Sequence, residues 1–310
     1  MRDWRTNPRE LNVVTGAFGF TGKYITRRLL DRGRDVLTLT GHPGRENPFG
    51  DRVSVAPFSF DSPEALTRAM QGASVLFNTY WVRFSYGRTT YQSAIDNTRT
   101  LIRAAREAGV RRVVHISITN ASVDSPLPYF RGKGIVEEIV MNSGMSYTII
   151  RPTVIFGAEG ILINNIAWLL RRFPLFTIPG SGDYRLQPVY VEDVADIATR
   201  AAGGDANEII DAAGPEVYSY IDLVRLIAAI VGSRALLVHL PPGLVLALSE
   251  LIGYLVKDVV LTRDEIDGLM AGLLVSSGPP TGTTRLSEWL AQHAGSLGVR
   301  YASELARHYR

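Results

Sequence analysis

Three glycines at intervals of three residues, Gly16, Gly19 and Gly22, separate an apolar segment from an amphipathic one. Residues 11–14 predict a buried strand, and residues 24–31 predict a helix. In such a strand–turn–helix the first glycine permits a tight turn and the second lets backbone approach a pyrophosphate. The third lets the helix pack closely on the strand, and the helix N-terminus attracts anions. We therefore predict a dinucleotide-binding turn, whose expected contacts are Gly16, Phe18, Gly19, Phe20, Thr21 and Gly22.

Strand and helix signals alternate along the first half of the chain, which predicts an α/β fold with a parallel sheet covered on both faces. We predict a Rossmann-type, doubly wound core over residues 1–157 and a smaller, interleaved C-terminal substrate lobe over residues 158–310. Segments at about 184–215 are expected to return to the core. Further helices are predicted at about 219–231, 243–256 and 284–292.

The composition excludes several classes of function. The 310 residues contain no cysteine, which excludes disulfides, thiolate metal sites and cysteine nucleophiles, and no metal centre is expected. The net charge is only +3 and the arginines are scattered, which argues against nucleic-acid binding. The N-terminal segment is polar and shows no signal peptide, so we expect a cytoplasmic protein.

Residues 241–261 form a strongly apolar segment. Glu250, Lys257 and Asp258 interrupt it, and its uncharged run is far shorter than the roughly 20 residues that a membrane span needs. We predict a buried or interface helix here. The alternative is contact with a membrane surface or with a second copy of the chain in a homodimer.

The end of the second predicted strand, at Thr40, bears on the choice of dinucleotide. An acidic residue at this point of the fold commonly binds the ribose 2′-hydroxyl of NAD, but residues 38–45 contain no acid. Thr40, His42 and Arg45 can instead accommodate a 2′-phosphate, with Arg45 as its cation, so NADP is preferred over NAD. Alternatively, Arg45 is only a solvated loop residue. Asp61, which precedes the next predicted helix, either caps that helix or contacts the adenine.

Tyr129 and Lys133 lie four residues apart at the start of a predicted helix, so their side chains share one face. A neighbouring cation lowers the pKa of a tyrosine towards values useful for proton transfer. The pair follows a predicted strand over residues 112–116, which leads into the hydroxyl residues Ser117 and Thr119. This order of motifs, downstream of a phosphate-binding turn, indicates a functional role for the pair.

Taken together, these motifs resemble an extended or atypical short-chain dehydrogenase/reductase, close to the NAD(P)-dependent epimerase/dehydratase family. The resemblance is strongest to the subgroup that includes the NADPH-binding accessory subunit of respiratory complex I. That subgroup contains non-catalytic members, so the fold alone does not determine activity. The matching pieces cover about the first 200 residues in the family's order: Gly16-x-x-Gly19-Phe20-x-Gly22, Tyr129-x-x-x-Lys133, Arg151-Pro152-Thr153 through Phe156-Gly157, and Val189-x-Val191-Glu192-Asp193-Val194-Ala195.

The resemblance implies roles for these residues by position. Tyr129 would be the general acid/base, and Lys133 would hold the nicotinamide ribose and polarise Tyr129. Either Ser117 or Thr119 would orient the substrate. Tyr80, where the family often has a small residue, would narrow or cover the approach to the nicotinamide. The other implied cofactor contacts are Asn78, Thr79, Ile116, Pro152 and Thr153, and the candidate polar substrate contacts are Asn164, Asn165 and Arg185.

We therefore expect an NADP(H)-dependent oxidoreductase or epimerase that acts on a small hydroxyl or carbonyl compound, with nucleotide sugars among the candidates. The reaction would use the Tyr129/Lys133 proton relay. The alternative is a non-catalytic protein that binds NADPH for a structural or regulatory purpose.

Overall fold

The computed structural model describes residues 10–308, over which the chain divides into two compact units. The first unit runs to Arg151 and resumes over Val194–Ile210. The second unit comprises Pro152–Asp193 and the residues from Asp211 onward.

Helices and strands alternate up to residue 152, except that no α-helix separates β2 from β3. In chain order they are β1 (Leu11–Thr15), α1 (Phe20–Asp31), β2 (Asp35–Thr40), β3 (Val53–Pro57), α2 (Pro63–Met70), β4 (Ala73–Asn78), α3 (Tyr91–Glu107), β5 (Arg112–Ile116), α4 (Pro128–Met141) and β6 (Ser146–Pro152). The later elements are β7 (Val154–Phe156), α5 (Ile161–Arg172), β8 (Leu175–Pro179), β9 (Arg185–Leu186), β10 (Pro188–Tyr190), α6 (Val191–Ala201), β11 (Glu208–Ala212), β12 (Tyr218–Ser219), α7 (Tyr220–Ile230), β13 (Leu236–Leu240), α8 (Pro242–Val256), α9 (Arg263–Met270), α10 (Leu286–His293) and α11 (Glu304–His308).

Seven strands form one sheet in the order β11-β6-β5-β4-β1-β2-β3. β1 pairs in parallel with β2 on one side and with β4 on the other, and the pairs β2–β3, β4–β5 and β5–β6 are also parallel. The strand order therefore reverses between β1 and β4. In open α/β sheets, ligands bind in the crevice at the carboxyl ends of the strands beside such a switch point. The predicted α/β, Rossmann-type fold is confirmed.

The strands of this sheet have nearly continuous apolar sequences because both faces of the sheet are covered. Val13, Leu76 and Val113 of the central strands are completely buried in one core cluster, together with Leu101 of α3. Burial of each such side chain contributes about 1.5–3 kcal/mol. This packing fixes the carboxyl ends of β1, β4 and β5 relative to one another.

The predicted strands and helices of the first unit are confirmed, with one local difference. β3 begins at Val53, directly after a 3₁₀ turn over Gly50–Arg52. The N-cap of α2 is Ser62, so the expectation that Asp61 caps this helix is wrong. Pro63 occupies the first turn of α2, where its missing N–H and fixed φ angle favour a helix start one residue later than Asp61 would give.

The second unit has its own core, in which Phe156, Ile163, Leu223 and Trp289 are buried together. The three helices predicted for this half correspond to α7, α8 and α10. The strands β7, β8, β9, β10, β12 and β13 were not predicted, since runs of two to five residues offer too few positions for a recognisable alternation. The sequence predicts a core that ends at residue 157 and resumes at about 184–215, whereas the two compact units of the structure divide after Arg151, Asp193 and Ile210. The predicted assignment of these segments to a core and a substrate lobe stays a prediction.

α8 lies in the apolar segment at 241–261. One of its faces is buried, through Val245, Ser249 and Gly253, while leucines at helical spacing on another face are exposed, namely Leu244, Leu248, Leu251 and Leu255. Among residues 10–308, no helix has the length and apolar character needed to cross a membrane. Contact of this helix with a membrane surface or with a second copy of the chain stays a prediction.

Candidate functional site

The glycine-rich turn connects β1 to α1 in the predicted way. Gly16 adopts a φ angle of 66°, which favours glycine, and its N–H donates to the carbonyl oxygen of Leu39 over 2.8 Å. The N–H of Gly19 donates to the carbonyl oxygen of Gly16 over 2.9 Å. A Cβ at position 22 would overlap that same carbonyl oxygen, so only glycine lets α1 approach the turn this closely.

The N-terminus of α1 has features that favour an anion. Its N-cap is Gly19, which has no side chain to bond the first N–H groups, and the first turn contains no acid. The hydroxyl of Thr38 accepts the N–H of Ala17 over 3.0 Å and so fixes the turn against β2. The ring of Phe18 lies 6.5 Å from that of Phe49, measured between centroids. Phe20 packs edge-on against Tyr24, and Thr21 is half-buried in the first turn.

The residues expected to select NADP lie together at the end of β2. The hydroxyl of Thr40 accepts the N–H of His42 over 3.1 Å, and the carbonyl oxygen of His42 accepts the N–H of Arg45 over 3.1 Å. His42 is exposed and Arg45 is half-buried. Asp61 is also exposed. The contacts of these residues with a cofactor stay predictions.

A buried polar network joins the carboxyl ends of β1, β4 and β5. The hydroxyl of Thr15 accepts the N–H groups of Thr79 and Tyr80 over 2.7 and 3.0 Å. The side-chain nitrogen of Asn78 lies 3.1 Å from Nδ1 of His115. Because an amide NH₂ can only donate, we assign the proton of the neutral imidazole to Nε2.

His115 is completely buried, and burial together with the charge of Lys133 lowers its pKa well below the usual value. The ring is therefore neutral. Its Nε2 has no hydrogen-bond partner in the part of the chain that the structure describes. A buried donor without a partner is costly, so this atom marks a place for a water molecule or a ligand.

Lys133 is the central charged group of the site. It is 3% exposed, and its Nζ donates to the carbonyl oxygen of Ile116, at the end of β5, over 2.9 Å. The ammonium group also lies 5.0 Å from the ring centroid of Trp81. Burial lowers the pKa of Lys133 to about 7, and the charge of Glu137 opposes that effect.

Tyr129, one turn before Lys133, lies in a cluster of aromatic rings. Its centroid is 6.0 Å from that of Trp81 and 6.0 Å from that of Tyr91, in both cases edge to face. Trp81 also contacts the backbone of α4 at Gly132, where a Cβ would come within 2.8 Å of the indole. The geometry thus brings Tyr129 and Lys133 together on α4 beside Trp81, a residue that the sequence analysis did not single out.

Tyr80 points to other partners. Its hydroxyl accepts a hydrogen bond from Asn97 over 2.9 Å, and its ring packs on Phe58 and Phe60 at 5.2 and 5.4 Å between centroids. Trp81, the next residue, is the one whose ring lies against the Tyr129–Lys133 pair. The predicted effect of Tyr80 on access to a cofactor stays a prediction.

The structure distinguishes the two candidate hydroxyls after β5. The hydroxyl of Ser117 donates to Oε1 of the buried Glu137 over 2.5 Å. Thr119 is 1% exposed, and its hydroxyl has no hydrogen-bond partner within residues 10–308. Ser117 is thus engaged by Glu137, and which of the two hydroxyls faces a substrate stays a prediction.

The remaining predicted site residues belong to the second unit. Thr153 bonds the backbone at Gln187 and Ala212. Asn164 and Asn165 donate to the carbonyl oxygens of Arg300 and Ala302 over 2.8 and 3.0 Å, respectively. These bonds hold chain segments in place. Pro152 is buried at the end of β6, and Arg185 is exposed in β9. The contacts of these five residues with cofactor or substrate stay predictions.

Comparison with known proteins agrees with this geometry. Residues 16–161 match the family model described as NAD(P)H-binding. The mitochondrial NADH dehydrogenase [ubiquinone] 1 alpha subcomplex subunit 9 of Arabidopsis thaliana is 26% identical over 283 residues, which are 85% of this chain and 70% of that protein. The resemblance found in the sequence, to an NAD(P)-binding protein related to the complex I subunit, is confirmed.

Solved structures share the fold. The triphenylmethane reductase of Citrobacter, complexed with NADP(H), has a TM-score of 0.71 at 19% identity and covers 91% of this chain and 99% of its own. An NADPH-dependent quinone oxidoreductase of Escherichia coli has a TM-score of 0.70 at 22% identity, with coverages of 91% and 98%. A nucleoside-diphosphate-sugar epimerase of Staphylococcus aureus has a TM-score of 0.71 at 17% identity, with coverages of 90% and 99%.

The turn glycines yield a first prediction. We expect Gly22→Ala to destabilise the protein by about 3 kcal/mol, because the overlap with Gly16 outweighs the gain of about 1 kcal/mol in helix propensity. Gly243→Ala, in α8 with open space around it, is the control and should not destabilise the protein.

The second turn glycine gives a prediction on binding. Gly19→Val should keep the fold and abolish dinucleotide binding. Denaturant unfolding and calorimetry measure both effects, and micromolar NADPH binding by folded Gly19→Val would refute the assignment.

The buried lysine yields a further prediction. Its pKa is about 7 in the folded state and about 10.4 in an unfolded chain, so between these values the unfolded state binds more protons. The free energy of unfolding should therefore rise with pH in this window, by up to about 1.4 kcal/mol per pH unit. Lys133→Met should lose this contribution, while Lys257→Met, at an exposed position, should keep it. Parallel stability curves for wild type and Lys133→Met between pH 7 and 9 would contradict the prediction.

Proposed function

We propose that this chain, whose residues 16–161 match an NAD(P)H-binding domain, is an NADP(H)-dependent oxidoreductase that acts on a small carbonyl or hydroxyl compound. The observation that carries the proposal is the placement of Lys133. Its buried ammonium group is fixed at the end of β5, one helical turn from Tyr129. The glycine-capped, acid-free N-terminus of α1 and the Thr119 hydroxyl, which has no partner within residues 10–308, fit a bound dinucleotide and a substrate.

The residues of this chain divide the work of the reaction. Bound NADP(H) supplies the hydride chemistry. Tyr129 donates a proton to the substrate oxygen in the reducing direction and accepts one in the reverse direction. Lys133 holds the ribose and favours the tyrosinate form electrostatically, while the hydroxyl of Thr119 orients the substrate oxygen. Gly16, Gly19 and the first turn of α1 hold the pyrophosphate.

The surroundings of Tyr129 favour a flat, apolar carbonyl compound over a nucleotide sugar. Trp81 and Tyr91 stack nearly parallel, 5.9 Å apart between centroids, and both contact the tyrosine ring. Aromatic rings bind planar apolar groups and offer few hydrogen bonds to a sugar. Two structural neighbours are a triphenylmethane reductase complexed with NADP(H) and an NADPH-dependent quinone oxidoreductase. Quinones and aromatic aldehydes are therefore the first substrates to screen.

A second candidate function is that of a non-catalytic NADPH-binding subunit. The relative from Arabidopsis thaliana is named as a subunit of NADH dehydrogenase. The ring of Trp81 against Lys133 also fits a site that holds a cofactor without turnover. For the leading function we propose a cytoplasmic location.

The catalytic proposal is tested with variants of the aromatic cluster. Tyr129→Phe removes only the phenolic hydroxyl, so cofactor affinity should change little while turnover falls by roughly 10²–10⁴. Tyr91→Phe is the matched control, because its hydroxyl donates to the carbonyl oxygen of Arg83 over 3.1 Å and should not take part in the reaction. Lys133→Met should reduce both turnover and NADPH affinity.

The outcomes separate the two candidate functions. Turnover by Tyr129→Phe at the rate of Tyr91→Phe would show that the proposed mechanism is wrong. Tight NADPH binding without turnover of any carbonyl compound or nucleotide sugar in a broad screen would favour the non-catalytic subunit.

The preference for NADP is tested at Arg45. A charge-assisted contact with the 2′-phosphate contributes roughly 1.5–3 kcal/mol, so NADPH should bind about ten- to a hundredfold more tightly than NADH. Arg45→Ala should remove most of this difference. Arg68→Ala, exposed in the last turn of α2, is the control and should leave it unchanged. Equal affinities of the wild type for both cofactors, measured by calorimetry, would overturn the preference.

A further inference from the structure

The face of α4 that carries Tyr129 and Lys133 continues one turn further to Glu137. This carboxylate is 2% exposed, and the cost of burying it is offset only by charged and hydrogen-bonding partners. Arg151, on β6, supplies both through Nε at 2.9 Å and a terminal nitrogen at 2.5 Å. Ser117 adds the hydroxyl bond described above. All of these partners lie in the first unit.

Two successive residues at the end of β5 bind two successive turns of α4. The carbonyl oxygen of Ile116 accepts from Lys133, and the hydroxyl of Ser117 donates to Glu137. The strand end therefore fixes the cation and the anion of α4 at the same time.

The groups that face Lys133 make Glu137 its main electrostatic support. On β5, His115 is neutral, because burial and the lysine itself lower its pKa. From the segment after β4, Trp81 presents its ring, and Tyr129 lies one turn back on α4 itself. Glu137 supplies negative charge, and it raises the pKa of Lys133 against the effect of burial. Arg151, whose side chain is 26% exposed, bonds the same carboxylate.

We propose that Glu137 is a positioning residue that keeps Lys133 charged and in place for the dinucleotide, and that Arg151 sets how strongly Glu137 acts on it. The arrangement is a buried row of alternating charge, in which Glu137 bonds the arginine and lies one helical turn from the lysine. The electrostatic part stands on the geometry of this chain alone, while the part that concerns the dinucleotide rests on the proposed function.

The chain offers a direct test, because it contains three lysines, Lys23, Lys133 and Lys257. With ¹³C-labelled lysine, the Cε signal of Lys133 can be titrated by NMR in the cofactor-free protein and assigned as the signal that Lys133→Met lacks. We expect Glu137→Gln to lower the pKa of Lys133 by about one unit, which is a tenfold change in its protonation constant. Arg151→Met should raise it, because the carboxylate then acts on the lysine alone.

Ser117→Ala is the matched control, since it removes a hydrogen bond to Glu137 without changing any charge. Its Lys133 signal should titrate within about 0.3 units of the wild type. Opposite shifts in Glu137→Gln and Arg151→Met distinguish an electrostatic role from a merely structural one. If Glu137→Gln fails to fold, Arg151→Met alone decides the matter, because its partly exposed side chain can be replaced with less disturbance. An unchanged Lys133 titration in folded Arg151→Met would overturn the proposal.

The pH dependence of NADPH affinity is the second readout. The alkaline pH at which binding weakens should move with the pKa of Lys133 in each variant. The NMR shifts could occur without any change in the pH dependence of NADPH affinity. That result would support the electrostatic role of Glu137 and contradict the contact between Lys133 and the cofactor in the proposed function. The two proposals therefore fail in different measurements.

Discussion

The candidate site depends on one buried charge, the ammonium group of Lys133. Removing an ammonium from water is expensive, and here the carbonyl oxygen of Ile116, the ring of Trp81 and the charge of Glu137 offset part of that cost. The lysine on α4 is flanked by two glycines, Gly132 and Gly134, which let the helix pack closely against its neighbours. A Cβ at Gly132 would meet the indole of Trp81 at 2.8 Å, and one at Gly134 would approach the backbone of residues 122–123 within 2.5 Å. Each glycine destabilises the helix by about 1 kcal/mol relative to alanine, and the close packing that only glycine permits offsets this loss.

The switch point of the sheet places the other polar groups around this charge. Thr15 at the end of β1 fixes the backbone after β4, and Asn78 fixes the imidazole of His115 at the end of β5. The backbone turn at Gly16 sits at the same edge. A hydrogen-bonded strand edge thus holds the helix terminus that is predicted to bind an anion and the Tyr129–Lys133 pair, as preorganised catalysis or binding requires.

Much of this was predictable from the sequence, because glycine spacing, strand–helix alternation and the tyrosine–lysine interval are local properties. The fold class and the placement of Lys133 on α4 followed from them. Contacts between distant segments were not predictable: nothing in the sequence near Trp81 indicates that its ring meets Gly132, and Ser117 and Thr119 look alike until Glu137 is seen to bond only the first. One clue was present, since Glu137 stands one further turn along the face that carries Tyr129 and Lys133. The short strands of the second unit have too few residues to show an alternation of apolar and polar side chains.

The central claim is that Lys133 lies where a nicotinamide dinucleotide binds. The most direct test adds NADPH to protein labelled with ¹³C at lysine and follows the Cε signals of Lys133 and Lys257. We predict that the Lys133 signal moves and saturates with the binding curve from calorimetry, while Lys257, far along the chain in the second unit, does not respond. Saturable NADPH binding that leaves the Lys133 signal unchanged would contradict it.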